Sequence, residues 1–210
     1  MHEQRIIAAD VRCAMTGKAM RVSGIAARYN SPTRIGAARG AFIERIARGA
    51  FSRAIDAKQD TAFLINHDVN RLMARVSSGT LRLRDGEEGL EFEADLPDTE
   101  DARNAYAAIQ RGDMHQCSFR WTGQDDDWDM IEDPDDRSAK IPRRTLRDIK
   151  NLEDVSAVTF PAYQNTEVHA RAEQRSDIVI PEQFVVVPAP VQDAADIVAR
   201  RRELLGLASL

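Results

Sequence analysis

The stretch GDMHQCSFRW, residues 112–121, decides how this chain is read. Gly112 after Arg111 closes a helical pattern, and the residues beyond it read as a strand. Side chains on a strand alternate between faces, so Ser118 shares one face with Met114, Gln116 and Arg120, while Cys117, Phe119 and Trp121 turn towards the core. That parity places a hydroxyl on a groove-facing side and a thiol in apolar packing. A serine on a strand, without a G-x-S-x-G elbow, is by itself an ordinary hydroxyl. Any chemistry must come from partners elsewhere.

Acyl transfer by serine needs an imidazole in reach, a group that orients it, and donors for the oxyanion. There are four histidines. His2 lies near the start, His169 follows the last strand pattern, and His115 has the opposite parity to Ser118. His67 stands where the apolar run TAFLI, residues 61–65, gives way to Asn66-His67-Asp68, a position that holds a ring rigidly with its tip accessible. On pattern alone a hydrogen-bonded structural histidine is the commoner reading of such a residue. The strand LEDVSAVT, residues 152–159, carries Glu153 and Asp154. Adjacent strand residues face opposite ways, so only one of the two can orient His67. Cys117, buried by parity, is a weaker nucleophile candidate. No histidine pair has metal-ligand spacing, and neither a metal nor another cofactor is expected.

Working outward, residues 98–111 read as a helix. Asp98 or Thr99 caps it, Glu100 and Asp101 sit at the positive end of its dipole, and Ala102, Ala105, Tyr106 and Ile109 form its buried stripe. Before it, residues 61–66, a buried strand, and residues 79–84 and 90–96, which alternate around an Asp85-Gly86 turn, read together as an antiparallel meander whose last strand has one wet, acidic face. Residues 5–13 and 19–29, split by Thr16-Gly17-Lys18, read as a hairpin. The spacing of Phe42, Ile43, Ile46, Phe51, Ala54 and Ile55 predicts two short helices or one kinked helix. The run DDDWDMIEDPDDRSAK, residues 125–140, has too many like charges to pack and reads as a solvated loop or a long hairpin tip rather than a calcium loop. After residue 172 come a short β-prone run, a Pro-Ala-Pro linker and a candidate amphipathic helix over residues 192–207.

The 210 residues suit one domain with tails. A net charge of -5 gives no general attraction to phosphate, so nucleic acid is not expected as a partner. Two cysteines without a CxxC spacing suggest a reducing compartment. Neither a leader peptide nor an apolar run long enough for a membrane span is evident, so no membrane association is expected.

Several stretches, taken in order, resemble the prohead (capsid maturation) protease family of tailed bacteriophages: YNSPT at residues 29–33, ERIARGAFSRAI at 44–55, Asn66-His67-Asp68, SGTLRL at 78–83, Gly89-Leu90, Gly112-Asp113 with Cys117-Ser118-Phe119, and DVSAVTFPAY at 154–163. The resemblance implies an α+β fold like that of the herpesvirus assemblins, mainly an antiparallel β-barrel flanked by short helices. It also implies peptide hydrolysis, with Ser118 as nucleophile and His67 as general base. The family's glutamate before Val-Ser is replaced here by Asp154, which then orients His67, with Glu153 as the alternative. Arg120 stands where smaller or apolar residues are usual and is a candidate substrate or oxyanion contact. By the same resemblance, residues 1–172 form the protease domain, and residues 173–210 are a linker and helical tail open to self-cleavage. The partners would be the major capsid protein with its scaffolding segment, the portal and further copies of this chain, inside an assembling prohead in the bacterial host cytoplasm. Two alternatives remain: a non-catalytic assembly or scaffolding protein with the same fold, and a cysteine hydrolase using Cys117.

Overall fold

A computed structural model describes residues 2–7, 11–16, 19–36, 40–159 and 180–185. Its spine is a pair of unusually long antiparallel strands, β10 (Gln116–Glu132) and β11 (Lys140–Val158), of 17 and 19 residues. Strand β11 is long enough to carry two parallel partners end to end on one edge. Near its start it pairs with β5 (Phe42–Ile46), and near its end with β6 (Ala62–Ile65). Strands β4 (Thr33–Ile35), β7 (Asp68–Arg75) and β1 (His2–Ile7) complete a seven-stranded sheet by pairing with β5, β6 and β10 respectively.

The second sheet runs β2 (Val11–Thr16), β3 (Ala19–Arg28), β9 (Gly89–Asp95) and β8 (Leu81–Asp85), antiparallel throughout. The expected hairpin forms only in part, since β2 pairs with β3 while residues 5–7 of its predicted first strand belong to β1 in the other sheet. Of the expected meander, β8 and β9 pair here, whereas β6 lies in the seven-stranded sheet. The mixed, strand-dominated class is as the sequence suggests. No closed barrel is found among the described residues; the strands form two sheets instead.

Helix α1 (Ser52–Asp56) is short, and α2 (Glu100–Arg111) bridges the two sheets from β9 to β10. In α2 the Thr99 hydroxyl accepts from the Ala102 N–H, and Gly112 closes the C-terminus at φ 84°, a left-handed position that costs glycine little. The predicted stripe of Ala102, Ala105, Tyr106 and Ile109 is buried. It joins a core in which Phe119 lies between Phe51 and Trp121, with centroids 5.3 and 4.9 Å away, and Phe63 stacks on Phe92 at 5.2 Å.

One expectation is corrected, and one open alternative is decided. Residues 42–46 are a strand, not a helix, because pairing with both β4 and β11 buries nearly every side chain, and a short apolar run bounded by glycines suits either structure. The acidic stretch is the long-hairpin alternative rather than a loop. Its charges are matched across the ladder: Asp125 by Lys150, Asp126 by Arg144, Asp127 by Arg147 and Asp129 by Arg143. Like charges that repel along a strand are tolerable when opposite charges face them. The 192–207 helix and the Pro-Ala-Pro linker lie outside the described residues, and the β-prone run at 184–187 is described only at Phe184 and Val185, which end a 3-10 turn rather than form a strand. Within residues 180–185, a 3-10 turn at Glu182–Phe184 lays Phe184 over Trp128, centroids 6.5 Å apart.

One buried ion pair joins β5 to the spine. Glu44 and Arg144 are 4% and 2% exposed, with Arg144 Nη1 3.2 Å from Glu44 Oε2 and its guanidinium carbon 5.9 Å from the Trp128 ring centre. Removing one member of a buried pair typically costs about 3–5 kcal/mol, and here Arg144 keeps Asp126 at 2.5 Å when Glu44 is lost, so the cost falls at the low end of that range. Glu44→Ala should therefore lower stability by about 3 kcal/mol in urea unfolding, whereas Asp127→Ala, at an exposed pair, should change it by less than about 1 kcal/mol.

Candidate active site

The parity of residues 116–121 is as expected, but the serine side is not an open groove and the tip of His67 is not accessible: Ser118 and His67 are both buried. Cys117, Phe119 and Trp121 are fully buried in the core, while Ser118 and Arg120 occupy the opposite face of β10. Register then brings the partners in. Ser118 lies directly opposite Ser156, and Arg120 opposite Asp154. Beyond Arg120 the register slips: Trp121 pairs with Leu152, leaving Glu153 as an extra residue in a bulge. In an unbroken strand Leu152 and Asp154 would share a face. The bulge separates them, so Leu152 packs in the core and Asp154 faces the serine side.

His67 comes from the turn of the β6–β7 hairpin. Ile65 pairs with Asp68, so Asn66 and His67 form a two-residue loop, and both have positive φ, 55° and 58°. That sign pattern belongs to the tight hairpin turn whose twist matches the flanking strands. Asparagine tolerates it well; histidine does so at a cost of order 1 kcal/mol, the kind of strain that functional sites retain. The loop is tied to the end of β11. The Asn66 N–H donates to the Ala157 carbonyl, and the Asn66 side-chain oxygen accepts from the Thr159 N–H at 2.8 Å.

These three elements place a continuous chain of hydrogen bonds in the interior. Ser118 Oγ is 2.6 Å from His67 Nε2, and His67 Nδ1 is 2.6 Å from Asp154 Oδ1. A carboxylate only accepts, so Nδ1 carries the proton and Nε2 is left to accept from the Ser118 hydroxyl. Exposure is 0% for Ser118, 9% for His67 and 3% for Asp154. Two further groups brace the chain. Ser156 Oγ donates to Asp154 Oδ1 at 2.8 Å and lies 3.3 Å from His67 Nδ1. Arg120 Nη2 donates to the His67 carbonyl at 3.1 Å, and its Nε lies 3.4 Å from Asp154 Oδ2.

The structure thus brings Ser118, His67 and Asp154 together, with Arg120 alongside, and gives the contact with His67 to Asp154 rather than Glu153. Sequence reasoning passed over Ser156. The available signal was parity, since residue 156 stands two places from Asp154 on one strand face. His115 points elsewhere, its Nδ1 3.0 Å from the Gly112 carbonyl. Cys117 is wholly enclosed, and burial pushes its thiol well above the ordinary range, which disfavours the thiolate a cysteine nucleophile requires. Among the described residues no cluster of His, Cys, Asp or Glu could hold a metal ion. No described helix is long and apolar enough to cross a membrane.

A family model described as Caudovirus prohead serine protease matches residues 8–178. No curated protein and no solved structure matches the chain.

The environment of Cys117 makes a separate prediction. In the native protein at pH 8, iodoacetamide should leave the Cys117 peptide unmodified over hours by mass mapping, and alkylate it fully after unfolding in guanidinium chloride.

Proposed function

The chain belongs to the caudovirus prohead serine protease family, and we propose that Ser118, His67 and Asp154 are the residues with which it hydrolyses peptide bonds. Membership makes it a serine peptidase of capsid maturation that works with capsid proteins inside an assembling capsid. The observation that carries the assignment is the hydrogen-bonded run from Ser118 through His67 to Asp154, at 2.6 Å for each link.

In this mechanism the Ser118 oxygen attacks the scissile carbonyl as its proton passes to His67 Nε2. Asp154 keeps the ring in the tautomer that can accept that proton and stabilises the imidazolium that forms. The imidazolium gives the proton to the leaving amine as the C–N bond breaks. Water, deprotonated by the same Nε2, then releases the acyl group and restores Ser118. Ser156 fixes the Asp154 carboxylate by donating to the oxygen that also receives the histidine N–H. Arg120 holds the backbone of the base and the second carboxylate oxygen, and its side chain, 26% exposed, offers a charged group for a substrate carbonyl or the developing oxyanion.

The substrates in this proposal are the scaffolding part of the major capsid protein and the chain itself. Residues 1–172 act as the protease domain, with residues 173–210 as the segment lost on self-cleavage. Self-association and contact with the portal belong to the same proposal. The fully enclosed Cys117 weighs against a cysteine hydrolase, and a preassembled hydrogen-bonded serine weighs against a fold retained only for scaffolding.

Co-expression with the phage's capsid protein tests the assignment. Wild type and Cys117→Ala should cut the capsid protein and shorten their own intact mass, and Ser118→Ala should do neither. Cleavage that survives in Ser118→Ala and fails in Cys117→Ala would reverse the assignment. Asp154→Asn should lower kcat about 10³–10⁴-fold by favouring the wrong tautomer. Ser156→Ala should lower kcat about tenfold with KM unchanged, because it loosens only the carboxylate.

A further inference from the structure

His67 stands in a turn that its own hairpin holds poorly. Before the turn, Ile65 pairs with Ala157 of β11 and with Asp68 of β7. The β6–β7 ladder breaks at that point: Leu64 faces Leu72 and Ile65 faces Asp68, so Val69, Asn70 and Arg71 have no register partner on β6. Strand pairing within the hairpin therefore gives little rigidity where the base leaves the sheet. The turn also has two consecutive residues at positive φ, and the second is a histidine rather than the glycine that such turns prefer. A base on a turn of this kind needs support from outside the hairpin.

Asn66 supplies it. Its backbone N–H donates to the Ala157 carbonyl at 2.9 Å, and its side chain reaches on to Thr159. There Oδ1 accepts from the Thr159 N–H at 2.8 Å, and Nδ2 donates to the Thr159 hydroxyl oxygen at 3.2 Å. A main-chain N–H only donates, which fixes the orientation of the amide. Three hydrogen bonds thus join one residue to the end of β11, the strand whose Asp154 and Ser156 face His67. Asparagine meets every demand of the position: it tolerates a φ of 55°, and a short side chain carries both an acceptor and a donor. Glycine would meet only the first demand, and aspartate would keep the first together with the acceptor. Asn66 and Thr159 are both exposed, so water can replace these bonds and they add little to the stability of the fold. What they fix is the place of the next residue.

Resting on the assignment of Ser118, His67 and Asp154 above, we propose that Asn66 is a positioning residue for the base, its amide clamped on Thr159 so that the His67 ring keeps both of its 2.6 Å links. The clamp acts on the peptide that precedes His67, and Arg120 holds the carbonyl that follows it. The demand on geometry is strict, since a misplacement of about 1 Å in a reacting group costs about 10²-fold in rate.

Asn66→Gly tests this, because it keeps the φ of the turn and removes the clamp. With a peptide spanning a site mapped from the capsid protein, kcat should fall about 30-fold and KM should stay within about twofold. Labelling of Ser118 by a fluorophosphonate, which needs the base but not the peptide, should slow by the same factor. The low-field proton resonance of the His67 Nδ1–H bonded to Asp154, sharp in wild type, should broaden through exchange with water. Asn66→Asp should recover kcat to within about threefold of wild type. Asn70→Ala, which loses a side-chain hydrogen bond on the same hairpin without touching β11, should match wild type throughout. Wild-type labelling by Asn66→Gly overturns the clamp, as does a rise in KM at constant kcat or an Asn66→Asp variant no better than the glycine. An equal loss in Asn70→Ala, or unfolding of Asn66→Gly in the absence of urea, also overturns it by making the bonds general support for the hairpin. Failure of wild-type Ser118 to label or to cleave would instead strike the assignment on which the inference rests.

Discussion

The pairing of β10 with β11 is the constraint on which the rest of the structure depends. A single register sets Ser118 against Ser156 and Arg120 against Asp154, and a single extra residue, Glu153, resets the parity beyond them. Without that bulge, Asp154 could reach the serine face only if Leu152 left the core with it. The same strand, β11, receives β6 in parallel and so fixes where the β6–β7 turn ends, which is where His67 stands. In the proposed assignment, nucleophile and acid come from the two strands of the hairpin, and the base comes from the turn that docks against its end.

The arrangement is costly, and its neighbours show how the cost is met. Four polar side chains, Ser118, His67, Asp154 and Ser156, are almost entirely removed from water. Each finds a partner within the group, which is what burial of polar atoms demands. Arg120 adds a positive charge beside the enclosed carboxylate and ties down the carbonyl of a histidine held at positive φ. Ser118 itself is fully enclosed.

Much of this was legible in the residues, and the failures have physical causes. Strand parity in residues 116–121 predicted which side chains enter the core, because a strand buried on one face leaves little freedom of register. The caps and stripe of α2 were equally plain, since they depend on local chemistry at Thr99 and Gly112. The strand at Phe42–Ile46 was missed because FIERI fits a helix turn as well as a strand, and only its partners decide, one of them about a hundred residues later. The acidic hairpin was ambiguous for a related reason: Asp125, Asp126, Asp127 and Asp129 repel each other along the chain and are matched only after folding back. The choice between Glu153 and Asp154 rested on a bulge, and a one-residue slip leaves no mark in composition or periodicity. Resemblance brought His67 and Ser118 to attention; the closeness of Ser156 and the positive φ of His67 emerged only from three-dimensional contacts.

The central claim is that Ser118, His67 and Asp154 work as one unit, and a mutant cycle on cleavage rate tests it most directly. Residues that act together lose nearly all their effect when any one is removed, so further removals cost little more. The account predicts that Ser118→Ala, His67→Ala and the triple variant with Asp154→Ala cleave the capsid-derived peptide at closely similar residual rates. Losses that instead multiply across the three substitutions, or a Ser118→Ala rate close to wild type, would contradict it.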